Sequence, residues 1–150
     1  MSIKISELPQ ATTINSTDVI PIVQSGTTKK VEAGVLGVEN YSTTEQRVGT
    51  WIDGKPLYQK VMTAVAPNVT TQGTFVAATT NHNIANVDTI FIALAFDQTA
   101  TEHTNLPYST NAGYNIKATV STTKIAMSSN ATNFNGHTYV FVLRYTKTTD

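Results

Sequence analysis

From residue 55 onward, apolar and polar positions fall into short strand-like runs separated by Gly, Pro and Asn. Residues 57–65 (Leu-Tyr-Gln-Lys-Val-Met-Thr-Ala-Val) predict a long strand, which Pro67-Asn68 ends. Residues 74–78 predict a weaker one. Residues 89–96 predict a strand apolar on both faces, and residues 113–121 one whose Tyr114, Ile116, Ala118 and Val120 share a side. Residues 124–127 give a short strand, and Asn135-Gly136 then turns the chain into a final strand over residues 137–146. In that last strand Tyr139, Phe141, Leu143 and Tyr145 fall on one face, and Val140, Val142 and Arg144 on the other. A strand apolar on both faces is buried between layers or at a subunit contact. Strands at this spacing predict a mainly β fold, an antiparallel β-sandwich or jelly-roll-like domain with little helix.

Residues 1–38 read differently. Ile3 and Ile5 share one face of a short strand that Leu8-Pro9 ends, and residues 18–24 predict a second strand, confined by Pro21 to an edge or bulge. Ser25-Gly26 supplies a turn, and residues 27–31 return as a third strand. A block near this size rarely buries a sufficient core alone. It is therefore expected to be an attachment or assembly module, with Ile3, Ile5, Leu8, Ile20 and Ile22 as its contact residues. Gly34 and Gly37 provide a joint before the second region, residues 39–150. There Ser42-Thr43-Thr44-Glu45 has the spacing of a capping box and predicts a turn of helix. Residues 51–58 (Trp-Ile-Asp-Gly-Lys-Pro-Leu-Tyr) predict strand, Asp-Gly turn, strand, with Trp51 packed as a structural residue.

Composition narrows the partners. Charged residues are 13% of the chain and the formal net charge is zero, so nothing global attracts nucleic acid or an anionic membrane. The lysines and arginines are neither dense nor interleaved with aromatics, and no nucleic-acid platform is expected. Thr occurs 27 times, which suits strands and an uncharged polar surface. Cys is absent, excluding disulfides and thiolate chemistry. The opening Met-Ser-Ile-Lys-Ile-Ser-Glu lacks the pattern of a secretion signal, and no apolar stretch reaches the ~18 residues of a membrane span, so no membrane insertion is expected.

Candidate chemistry is sparse. The carboxylates are scattered; Asp97 and Glu102 can meet in one loop, though a solvated loop face is the commoner outcome. Nucleophile-elbow, phosphate-loop and zinc-protease motifs are absent, so neither enzymatic activity nor a cofactor is expected. His82, His103 and His137 lack ligand spacing, and no metal site is expected; of the three, His82 and His103 are the candidates for an axial or loop-tip role and His137 for a surface position. Loop 97–108 combines amides, carboxylates and Tyr108, and loop 129–137 holds Phe134 between amides, the inventory of a sugar site. Asp97, Glu102, His103, Asn105, Tyr108, Asn133 and Phe134 are the glycan-binding candidates.

Two ends of the second region carry a resemblance. Its Tyr-Ser-Thr-Thr-Glu at residues 41–45, its Trp-Ile-Asp-Gly-Lys-Pro-Leu-Tyr at 51–58 and its closing Arg-Tyr-Thr-Lys-Thr at 144–148 resemble the start and end of the distal domain in many bacteriophage tail-fibre and related virion proteins. Residues 4–9 (Lys-Ile-Ser-Glu-Leu-Pro), 18–24 and 28–31 are similar to a segment near the N-termini of phage fibre and baseplate-associated proteins. The resemblance implies a homotrimeric short fibre or spike on the virion exterior, assembled in the host cytoplasm. Residues 1–38 would dock on capsid, collar or tail and baseplate proteins, and residues 39–150 would adhere to host surface glycans. Ile90, Ile92, Tyr139, Phe141 and Leu143, from the two-sided apolar strands, are the expected trimer contacts. A purely architectural head-fibre, collar or baseplate component is the alternative. No shaft-like heptad or collagen pattern separates the two regions, which favours a short fibre.

Overall fold

The computed structural model describes residues 18–33, 41–99, 101 and 103–149. The chain divides into two compact units, Met1–Asn40 and Tyr41–Asp150. In the first, β1 (Val19–Gln24) pairs antiparallel with β2 (Thr27–Glu32). Ser25 and Gly26 join them at φ of 51° and 74°, the positive pair that lets a two-residue turn follow the strand twist. Pro21 faces Lys30. Counting from the turn-closing pair, strand alternation makes this a non-hydrogen-bonded position, where a missing N–H costs the ladder nothing. Ile20 is half-buried, whereas Val19, Ile22 and Val23 are exposed. Ile3, Ile5 and Leu8 lie outside the described residues.

The second unit is mainly β and antiparallel throughout. Its strands are β3 (Gln46–Thr50), β4 (Pro56–Val65), β5 (Val76–Asn81), β6 (Val87–Asp97), β7 (Tyr108–Ser109), β8 (Asn115–Val120), β9 (Lys124–Ser129) and β10 (Thr138–Lys147). They form two four-stranded sheets, ordered β3-β4-β10-β6 and β5-β9-β8-β7. Residues 51–55 make the hairpin loop between β3 and β4; Gly54 sits there at φ 88° and the Lys55 N–H is held by Asp53 Oδ1 at 3.0 Å. A short 3-10 turn, Thr132–Phe134, precedes β10.

Side-chain alternation along β10 decides what the core contains. Tyr139, Phe141, Leu143 and Tyr145 turn inward with Ala64 and Ala95, and meet Ile116, Ile125 and Met127 of the other sheet in one buried cluster. Burying each large side chain contributes about 1.5–3 kcal/mol. Tyr114, Ala118 and Val120 pack against the same cluster. The expected trimer contacts are corrected here. Tyr139, Phe141 and Leu143 are 0% exposed within the single chain, leaving no surface for a sister copy. Ile90 and Ile92 share their face, opposite Tyr145 and Leu143, and pack on the same cluster.

β6 is an edge strand with two register shifts against β10. Its last turn of ladder is covered by the chain folding back, with Asp97 N–H on the Thr104 carbonyl at 3.0 Å and Leu106 N–H on that of Ala95 at 2.9 Å. Bulges and cover of this kind blunt an edge against open-ended strand addition.

Candidate functional site

Loops 97–108 and 129–137 do come together, but as packing rather than as an open sugar platform. Tyr108 meets Phe134 edge-on at 6.0 Å, and Phe134 meets His137 edge-on at 6.3 Å. His137 Nδ1 donates to Asp97 Oδ2 at 2.6 Å, and His103 Nδ1 donates to the Asp97 carbonyl at 2.8 Å. Asp97 is only 1% exposed and Phe134 is buried, so both are corrected from surface contacts to internal anchors. The other Asp97 oxygen accepts the Thr99 N–H at 2.9 Å. Beside it the Tyr139 hydroxyl is buried within reach of Asp97, without meeting good hydrogen-bond geometry. Burial first, then the Asp97 charge, holds that phenol well above its ordinary range.

The amides of the second loop are also committed to backbone. Asn135 accepts from the Val69 N–H at 2.8 Å and donates to the Val69 carbonyl at 2.9 Å, and Asn130 Oδ1 accepts the Asn115 N–H at 2.6 Å. His103, Asn105 and Asn133 are exposed, Tyr108 is half-buried with its ring on the core, and Glu102 lies outside the described residues. The histidine roles change as well. His82 is 2% exposed: its Nδ1 accepts the Ile84 N–H at 3.1 Å, so Nε2 carries the proton donated to the Ser121 carbonyl. It is a buried strand-end lock, unsuited to an axis or a loop tip. His137 is half-buried against Asp97 rather than a free surface residue. Among the described residues no three His, Cys, Asp or Glu side chains gather as a metal site, and no helix is long and apolar enough to cross a membrane.

The two sequence ends that carry the fibre resemblance are joined to each other. The helical turn expected at residues 42–45 does not form. Ser42 Oγ instead accepts the Thr44 N–H at 3.1 Å, and the Ser42 carbonyl accepts that of Val61 at 2.8 Å. Glu45, freed from any helix, accepts from the Tyr145 hydroxyl at 2.7 Å and from Lys147 Nζ at 2.6 Å. Lys147 also stands 5.0 Å over the Tyr58 ring, which stacks on Tyr145 at 5.9 Å. Burial first, then the Glu45 hydrogen bond and charge, keeps the Tyr145 phenol protonated far above its ordinary range. Trp51 packs on Phe91 at 5.3 Å, and Lys55 pairs with exposed Asp88, whose hydrogen bond lowers the Asp88 carboxyl below its ordinary value. The motif residues are a clasp that closes the unit.

The surfaces left open lie on the outer sheet faces. Outside β3-β4-β10-β6, Tyr41, Val61, Leu94, Phe96 and Val140 line a shallow concavity of about 260 Å³, with Val142, only 3% exposed, in its floor. Leu94 is 40% exposed and Tyr41 58%. Further along the same strands, outside its lining, Arg144 Nε donates to the buried Gln59 Oε1 at 2.9 Å. Outside β5-β9-β8-β7, Phe75 stands 54% exposed above a cleft of about 180 Å³ shared with Ser109, Asn115 and Lys117. Neither surface stood out in the sequence. The apolar one was signalled by the second face of the two-sided strands, at residues 94, 96, 140 and 142, and Phe75 by being the lone aromatic in a run of Thr, Gly and Ala. Compared with family models, curated proteins and solved structures, the chain matches none.

Proposed function

We propose that the chain is the subunit of a homotrimeric bacteriophage fibre or spike, docked on the particle through residues 1–38 and presenting residues 39–150 to the host surface. The observation that supports this most is the apolar outer face of β3-β4-β10-β6. An exposed apolar concavity of this kind can seat apolar side chains of a partner. The concavity offers no charge for a charged partner to answer, so a second copy of the same chain is the matching occupant, and a rotation that closes makes a ring. The hairpin β1–β2 supports docking in the same way, with Val19, Ile22 and Val23 exposed beside Lys29 and Lys30. Burial of Asp97 and Phe134 favours a second reading, a purely architectural head-fibre, collar or baseplate component, because it removes two members of the loop glycan site.

Sedimentation equilibrium on the full chain tests the assembly. A trimer mass is expected at micromolar concentration, and Leu94→Asp is expected to give the protomer with unchanged far-UV circular dichroism. A wild-type chain that stays monomeric throughout refutes the proposal. Saturable binding of the full chain to host cells separates adhesion from architecture.

A further inference from the structure

We propose that the outer face of β5-β9-β8-β7 binds an anionic saccharide, with Phe75 as the platform for a sugar ring and Lys117 as the partner of its carboxylate or phosphate. This deepens the adhesion reading above and rests on it for the host-facing role of the unit. Three observations point here rather than to the loops. First, Phe75 keeps 54% of its surface open while Lys117 Nζ sits 5.6 Å from its ring centre. An aromatic face and an ammonium are thereby held together at one place, which is the pairing that a ring bearing an acid group needs.

Second, the charge is one-sided. Residues 66–86 and 105–135, which bracket all four strands of this sheet, hold no Asp or Glu, and Lys117 and Lys124 are their only charged side chains. Among the described residues Lys117 makes no ion pair, so its ammonium is available to an incoming anion. Third, the floor continues. Ala77, Ser128 and Lys117 stand in one cross-strand row, and Thr79, Ala126 and Thr119 in the next. All of these but Thr79 line a second shallow depression of about 240 Å³ that adjoins the cleft at Lys117. Small side chains keep this track flat, and its hydroxyls both donate and accept, as sugar hydroxyls require. The cleft itself is too small for a drug-sized ligand, which suits one ring of a longer chain lying along the face.

Calorimetric titration of the full chain with four probes tests the assignment: an oligogalacturonate, its carboxyl-reduced counterpart, a phosphomannan oligosaccharide and its dephosphorylated form. Saturable binding is expected for an acidic probe over its neutral counterpart, and which acidic probe wins identifies carboxylate or phosphate as the anion. Phe75→Ala is expected to weaken it about tenfold. Lys117→Gln is expected to weaken it up to about fivefold and to remove most of its salt dependence. Both positions are at the surface, so both variants should fold, which circular dichroism checks. Saturation by none of the probes at millimolar concentration overturns the inference, as does equal binding of neutral and acidic forms or full affinity in Phe75→Ala. Sedimentation of the same samples keeps the two proposals apart: a trimer that binds no probe removes only this inference, and a protomer that binds removes only the trimer.

Discussion

Outside β3-β4-β10-β6 stand Val61, Leu94, Phe96, Val140 and Val142; outside β5-β9-β8-β7 stand Ala77, Thr79, Thr119, Ala126 and Ser128. The inner faces of both sheets are alike, because both fill one cluster. Core packing alone therefore does not explain why the outer faces differ, although the chain itself also covers part of the first, with Val142 3% exposed and Phe91 under Trp51. Under the proposals above, the first presents greasy side chains to a sister copy, and the second presents small hydroxyl-bearing ones to water and sugar. In a two-sheet unit, the inward alternation encodes the fold and leaves the outward alternation free to carry association.

The sharpest way to break this comparison is to truncate neighbouring residues of β10 that point to opposite sides. Phe141→Ala, inward and fully buried, should cost about 3–5 kcal/mol in urea unfolding. Val140→Ala, one position along and outward, should cost less than ~1 kcal/mol in the dissociated chain. Equal losses would show that both faces are core.

Tyr145→Phe comes next. It leaves the Glu45 carboxylate with Lys147 alone and should lower stability by about 1–3 kcal/mol, read as a lower thermal midpoint. Ala126→Lys adds a charge to the second sheet's outer face and should change stability by no more than ~0.5 kcal/mol, with sedimentation unaltered; if it dissociates the assembly as Leu94→Asp is expected to, the two faces have been assigned the wrong way round.

The smallest effect is electrostatic. Asp88 is lowered from 3.8 chiefly by its hydrogen bond to Lys55, so the pair's stabilisation is present above that value and fades as pH falls through the lowered one. Lys55 is raised from 10.5 chiefly by the same bond, so the stabilisation fades again as pH rises through the raised value. Asp88→Asn should flatten both flanks of a melting profile slightly, since both groups are exposed.

Much of the strand pattern was readable because period-two alternation is a local property. β4, β6, β8, β9 and β10 all fall where alternation and turn residues put them. What could not be read was sidedness and partnership. In β10 both faces are apolar, so residues 139, 141 and 143 compete with 140 and 142 for the core on equal terms, and only the sheet order decides. Glu45 has the spacing of a local cap, yet two donors about a hundred residues away claim it. Asp97 and Phe134 look like loop residues because their neighbours are polar, although hydrogen bonds and ring contacts draw them inward. Burial of a loop residue is set by the other loop, and no window along one of them contains it.

The clasp has a consequence for engineering. Through the pairings Gln46–Gln59 and Gln59–Arg144, the first strand of the second unit lies two strands from its last, roughly 10 Å across the sheet. β3 and β10 run parallel, however, so residue 41, beside Val61 and Val140, and residue 149, beside Asn86, lie toward opposite ends of the sheet, and a linker of roughly ten to twelve residues is needed to splice them, with fresh ends cut in the exposed bend at residues 111–113. Such a circular permutant should fold to the same sheets while carrying any tether from the second sheet instead of the first, reorienting the whole second unit without altering a single residue of either outer face.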